Sequence, residues 1–545
     1  MKLKSKMIAS IMSICLVCAV FAIGVFALKT ANLKIGGDVS FSATGVEADI
    51  KNVTLTGATN NDQVLATGSI NTSMTQADID TTFQNWQSLK LDFDENATDI
   101  ELKFQIANTS TNADNYIEID YDYSFTTENP NVDVFPGDEN EEGEWENNNY
   151  ILAPKGATPA AGDYETFTLK FKVLNKELNV PEGTKVNLNI ELKHIEPVLA
   201  TGTWSFDTTV PVTGEALPDG EAWITGFTEP NNWDGIMKIP AIITDGINKY
   251  IISGTFSSGG IMESPSGTGI CPEATKEVVL PNSIRETNGT LTDDGNALIT
   301  TIDLPVSLTD IGHSTFCTGG GGSGPLLTTI NIPNSVRRIG PDAFAGLAKI
   351  ISINIPSSVI GIDASAFRES SLVEIVNNSQ VSITHTGYSL KADVNIITPQ
   401  NLKSSQIFYV DDYIFRKYLG ENYLVSYIGN SINLVLPTIS GGYKIREYAF
   451  AYADFDSVLI PECVIGMETN AFLQPISLKI VKINNQEVVN SLWTSGLQDY
   501  ASSVYIKVGL DVSLQTDLTS NYSTTEITGD IDDDGYILYQ KKTTA

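Results

Sequence analysis

The chain has 545 residues, too many for one core, so two or three domains are expected. Hydrophobic residues make up 42% and charged residues 18%, the balance of a folded rather than a disordered chain. With 66 acidic against 33 basic side chains the net charge is -33, which repels a phosphate backbone, so no nucleic acid is expected as a partner.

Lys2, Lys4 and Lys6 precede an uncharged run from Met7 to Leu28, closed by Lys29. As a helix that run would measure about 33 Å, enough to cross a bilayer core, and the lysines place its start in the cytoplasm. Residues 1–31 are therefore expected to export the chain. The small-x-small step Val25-Phe26-Ala27 would suit cleavage as a signal peptide, whereas the length of the run would suit an uncleaved single-pass anchor. Either way the rest of the chain is expected outside the cell or on its surface.

Residues 32–198 read as a β-sandwich. Ile100-Glu-Leu-Lys-Phe-Gln-Ile106, Phe167-Thr-Leu-Lys-Phe-Lys-Val173 and Val186-Asn-Leu-Asn-Ile-Glu-Leu192 each place an apolar side chain at every second position. That alternation buries one face of a strand and wets the other. Only Gln76 to Gln87 suggests a helix. The loop from Gly137 to Glu146 concentrates carboxylates, among them Asp138, Glu139, Glu141 and Glu142. Clustered oxygens of this kind could take calcium, the one cofactor considered; the plainer reading is a solvated loop that guards a sheet edge. The stretch 199–221, rich in Thr, Pro and Gly, is expected to be a linker.

From residue 222 to 485 the sequence repeats itself. Leu327-Thr-Thr-Ile-Asn-Ile-Pro333-Asn-Ser-Val, Ile350-Ile-Ser-Ile-Asn-Ile-Pro356-Ser-Ser-Val and Phe455-Asp-Ser-Val-Leu-Ile-Pro461-Glu-Cys-Val share one grammar. It consists of an apolar–x–apolar pair, a proline, and an apolar residue three positions on. A second element follows in Ile339-Gly-Pro-Asp-Ala-Phe344, Ile362-Asp-Ala-Ser-Ala-Phe367, Ile445-Arg-Glu-Tyr-Ala-Phe450 and Met467-Glu-Thr-Asn-Ala-Phe472. Pro281, Pro305, Pro333 and Pro356 are spaced 24, 28 and 23 residues apart, and Pro437 and Pro461 by 24. The glycine run Gly319–Gly324 accounts for the longest interval.

Repeats of this length suit a leucine-rich-repeat solenoid with a ladder of parallel strands. The apolar pair faces the core, the proline ends the strand, and the Ala-Phe pair walls the coil on its far side. The pattern resembles the BspA-like class of leucine-rich repeats of bacterial and protist surfaces. The resemblance covers residues 222–485 and includes a hairpin insertion near 405–435, with Trp223–Gly254 and Ile284–Asn296 as degenerate copies at a capping end. It implies surface display and adhesion, and brings no catalytic residue. Residues 486–545 are expected to cap the solenoid.

Other motifs take structural readings. Asp530-Ile-Asp-Asp-Asp534-Gly starts like an EF-hand loop, but Lys541 stands where the bidentate glutamate is required. Cys271, Cys317 and Cys463 are too far apart in sequence for a zinc cluster and read as small buried side chains. No G-x-S-x-G accompanies His194, His313 or His385, and no enzyme is expected. By alternation Thr328, Asn331, Ser352, Asn354 and Ser457 are candidates for an exposed contact face. The function expected is adhesion or protein–protein binding, with a protein or glycan ligand on host, matrix or other cells; a self-associating envelope protein is the alternative.

Overall fold

In the computed structural model, residues 33–541 are described apart from 58–59, 61–62, 95–97, 128–130, 140–144, 156–163, 175–182, 211–212, 257–269, 273, 290, 292–298, 318–325, 400, 402, 493, 498–500, 513–521 and 527–534. The expected export segment, the glycine run, Glu141, Glu142 and the acidic turn from Asp530 to Asp534 lie outside the described residues. Among the described residues no helix is long and apolar enough to cross a membrane.

The alternating runs of the N-terminal part become two five-stranded sheets. The first is ordered Ile151–Leu152, Tyr116–Phe125, Lys185–Ile195, Leu33–Thr44, Leu89–Phe93; the second is Gly68–Ile70, Ala48–Thr56, Asp99–Asn108, Glu165–Val173, Val132–Pro136. Their inward residues share one core, where Phe41 meets Trp86 at 5.0 Å and Phe104 at 6.3 Å, all three fully buried. Burial alternates along Asp99–Asn108 as the sequence requires, with Ile100, Leu102, Phe104 and Ile106 at 0% exposure. The suggested helix is real but short. Gln76–Thr82 is α-helical, opened by a capping box between Thr75 and Asp78, and a single 3-10 turn Gln84–Ser88 continues it.

The stretch 199–221 is not the expected linker. Val198–Leu199 begins three residues after the last strand of the first sheet and pairs in parallel with Ile242–Thr244, while Trp204–Asp207 pairs with Glu221–Phe227. Its aromatics explain why. Trp204 packs on Phe227 at 4.5 Å and Phe206 on Tyr250 at 5.3 Å, so the segment covers the open first coil. A solenoid needs such a cap because its terminal coil has no neighbour to bury its apolar face.

The coils then stack with two parallel ladders. One contains Thr329–Asn331, Ser352–Ile355, Glu374–Asn377 and Asn395–Ile397; the other runs through Lys249–Phe256, Glu286–Asn288, Asp310–Ile311, Arg338–Ile339 and Gly361–Ile362. Between them lie the expected core residues, including Ile330, Ile353, Ile375 and the stacked rings Phe316, Phe344 and Phe367. The Ile-Gly step has a steric cause. A Cβ on Gly312 would stand 2.2 Å from the carbonyl oxygen of Thr287 in the preceding coil. A serine two positions after the proline is buried in four successive coils, at Ser283, Ser307, Ser335 and Ser358. Ser307 Oγ donates to the Ile284 carbonyl at 2.7 Å. Cys463 occupies the corresponding place after Pro461 and is half-buried.

The first ladder breaks after Ile397. The expected hairpin is a three-stranded antiparallel meander, Ile407–Val410, Tyr413–Tyr418 and Glu421–Tyr427, whose last strand rejoins the coils by pairing in parallel with Tyr443–Ile445. A second stack follows with strands Asn433–Val435, Ser457–Ile460, Ile480–Ile483 and Ser503–Lys507. The coils therefore extend past 485 to 507. Only beyond that does the antiparallel pair Tyr522–Glu526 and Tyr536–Lys541 close the ladder.

The seam between the stacks carries charge in the interior. Lys349, 6% exposed, donates from Nζ to the carbonyls of Ala449 at 2.8 Å and Tyr448 at 3.3 Å. Arg416 and Arg446 converge on Asp393 at 2.8 and 3.4 Å.

Candidate binding face on the strand ladders

Each ladder strand sends its middle residue inward and its flanking residues outward. In the first ladder the register aligns Thr329 with Ser352 and Glu374, and Asn331 with Asn354 and Val376. Asn331 and Asn354 are exposed neighbours, and Asn378 Nδ2 donates to Asn354 Oδ1 at 3.0 Å. Thr328 is half-buried and precedes the strand, in the column of Ile351 and Val373.

Ser352 differs from the expected exposed position, being only 6% exposed. Next to it the meander packs Ile414 and Val425 on Ile351 and Val373. Glu374, in register with Ser352, is 1% exposed; it accepts from Asn395 Nδ2 at 3.0 Å and from the Gln406 N–H at 3.1 Å, and burial pushes its carboxyl upward.

Ser457 belongs to the second ladder, separate from Asn331 and Asn354. It is half-buried and donates from Oγ to Asn433 Oδ1 at 2.7 Å. Beside it runs an outward column that the sequence reading missed. Val435, 64% exposed, pairs with Leu459, which pairs with Lys482 and then Tyr505. The Lys482 ammonium lies 5.6 Å from the Tyr505 ring and 5.9 Å from that of Tyr536. The same alternation rule, applied to Asn433-Leu-Val435-Leu-Pro437, would have found this column. The two ladders thus offer different chemistry, carboxamides on the first and aliphatic and aromatic surface on the second.

The acidic loop presents a different arrangement from a cluster of free carboxylates. Asp138 pairs with Lys103 at 2.9 Å and with Lys170, so two ammoniums already occupy its oxygens. Burial pulls its carboxyl up, but Lys170 and Lys103 outweigh that and hold it down at about 2. Glu139 is exposed. Among the described residues no group of three His, Cys, Asp or Glu side chains could hold a metal. Asp138→Asn is expected to cost at most about 1 kcal/mol at neutral pH, because the pair is a third exposed. A carboxylate with a depressed pKa stabilises the fold above its usual value and loses that contribution as pH falls toward 2. Denaturant midpoints of wild type and D138N should therefore converge on acidification.

The chain has no match among curated proteins. Residues 322–419 and 430–507 match, in six copies, the BspA type leucine rich repeat region. Among solved structures the chain is similar to a leucine-rich repeat protein from Bacteroides ovatus, with 18% identity over 52% of this chain and a TM-score of 0.24. It spans 64% of that protein's length, just under two thirds. It is also similar to a leucine rich cell surface protein from Faecalibacterium prausnitzii, with 18% identity over 55% of this chain and 86% of that one, and a TM-score of 0.22. The TM-scores are too low for either to bear on how this chain is arranged. The repeat grammar, the stacked coils and the family match agree over residues 322–419 and 430–507, which fold as leucine-rich-repeat coils and match the BspA type region.

Proposed function

We propose that the protein is a cell-surface binding protein whose partner, a protein or a glycan of another cell or of extracellular matrix, lies along the outward columns of the two ladders. The observation that carries this reading is the contrast between the two sides of each strand. Inward positions such as Ile353 and Val458 are buried in the core, whereas Asn331, Asn354, Asn433 and Val435 are exposed. Small amides and a short aliphatic column form a broad, shallow surface, the geometry by which solenoids engage macromolecules rather than enclosed substrates. The BspA-type repeats, and the export expected of the uncharged run from Met7 to Leu28, support surface display.

The test is binding of the full chain to host cells and to a panel of matrix proteins and glycans. Asn354→Lys and Val435→Arg should each weaken binding about tenfold or more while leaving the melting temperature within a degree or two, since exposed substitutions seldom cost over 0.5 kcal/mol. Binding that persists unchanged in both variants, or is absent across the panel, removes this reading.

A further inference from the structure

Three consecutive repeat turns touch the N-terminal domain, each through the residue directly after the proline. Asn282 donates its backbone N–H to Glu118 at 2.8 Å and its Nδ2 to the Ile119 carbonyl at 3.2 Å. Val306 packs against the N-terminal core itself. Its carbonyl accepts from the Tyr150 hydroxyl at 3.2 Å, and that of Ser307 accepts from Asn147 Nδ2 at 2.8 Å. Asn334 Nδ2 donates to the Tyr123 hydroxyl at 2.7 Å and to the Val134 carbonyl at 3.0 Å. Three residues further along the same coil, the Arg337 guanidinium stacks 3.7 Å over the Trp145 ring.

These contacts fall where the two sheets end. Among the described residues Tyr116–Phe125 is paired on its outer side only with the two-residue strand Ile151–Leu152, and Val132–Pro136 is the last strand of the second sheet. Their outward carbonyls, Ile119 and Val134, need donors once water is excluded. On the opposite edge the N-terminal domain solves this problem itself. Asn60 pairs with both the N–H and the carbonyl of Asp92, at 3.1 and 3.0 Å, and Gln63 does the same for Lys90. On the near edge the equivalent carboxamides come from the solenoid.

We propose that the turns after Pro281, Pro305 and Pro333 are a docking surface for the open strand edges of the N-terminal domain, holding the two domains as one body and keeping those edges from pairing with another chain. The two-residue connection between the last sheet strand and the solenoid cap, and the apolar contact of Tyr116 and Ile151 with Ala241 and Ile242, support the same geometry. Any anchor at the N-terminus then fixes the direction in which the ladders point. The inference stands whether or not the ladders bind a partner.

The full chain would be compared with N282A/N334A and, separately, with V306D. Loss of each carboxamide should raise the rate of proteolysis at the exposed Val198–Leu199 step on the order of tenfold, the size of one buried hydrogen bond, and V306D should raise it further. Sedimentation velocity should show concentration-dependent association in the variants beyond that of wild type. Small-angle scattering of the wild-type chain should fit one rigid particle. Proteolysis and sedimentation unchanged in both variants would overturn the proposal, and so would wild-type scattering that requires two bodies at variable separation.

Discussion

Replacing Phe344 with alanine should destabilise the solenoid by about 3–5 kcal/mol, the largest single-residue effect expected in the coils. Phe344 is fully buried and is the middle ring of three, 5.4 Å from Phe316 and 5.9 Å from Phe367 with the planes nearly parallel. Its removal opens a cavity that neither neighbour can fill, because each ring is held by its own coil. Stacked repeats draw much of their stability from nearest-neighbour interfaces, so the loss should spread to both flanking coils. Denaturant unfolding should show a lower midpoint and hydrogen exchange a loss of protection at Phe316, Phe344 and Phe367. A shift below about 1 kcal/mol would mean that the ring column is not a principal wall of the coil.

The second large effect concerns pH. Burial holds the Lys349 ammonium down at about 7, against 10.5 for an ordinary lysine, with only two backbone carbonyls to receive it. The unfolded chain therefore binds this proton more tightly than the folded one between about pH 7 and 10.5. In that window stability rises with pH, by on the order of 5 kcal/mol in total, and below it the penalty is fully present and constant. Lys349→Met removes the titrating group, so the difference in stability between wild type and variant should change steeply from pH 7 to 9.5 and stay level from pH 5 to 6.5. Buried tyrosines such as Tyr413, pushed up to about 12 by burial, titrate in both proteins and cancel from that difference. Parallel stability curves for the two proteins would refute the assignment. The location gives the effect a structural meaning, since Lys349 joins the carbonyls of the second stack to the first across the seam between their separate cores.

Much of this solenoid was legible before any coordinates. A coil is a short-range object: an inward pair, a proline that cannot donate to the ladder, a glycine where coils touch, and a wall aromatic. Each is set by residues within about 25 positions, so Ile330, Ile353, Phe344 and Phe472 could be placed in the core from spacing alone. The candidate contact face was only half legible. Alternation says that Asn331, Asn354 and Ser352 point away from the core, and cannot say that Glu374, in register with Ser352, is buried against Asn395 and the Gln406 N–H. The left-handed residues two positions before the wall phenylalanines, Ser314, Asp342, Tyr448 and Asn470, with φ between 53° and 63°, have no common side chain to announce them. They follow from the turn each coil must make.

The amino-acid sequence by itself determined the repeats, their cores and the strand alternation of the N-terminal sheets, because these depend on periodic burial and on contacts between adjacent coils. Tertiary structure alone decided that 199–221 caps the solenoid, that the meander packs on Ile351 and Val373, that Lys349 lies in a seam, and that Asn282 and Asn334 serve the edges of a distant sheet. Such contacts join residues as far as 211 positions apart, as Asn334 and Tyr123 are. No period in the chain records them, since a carboxamide at a turn looks the same in sequence whether it meets water or the open edge of another domain.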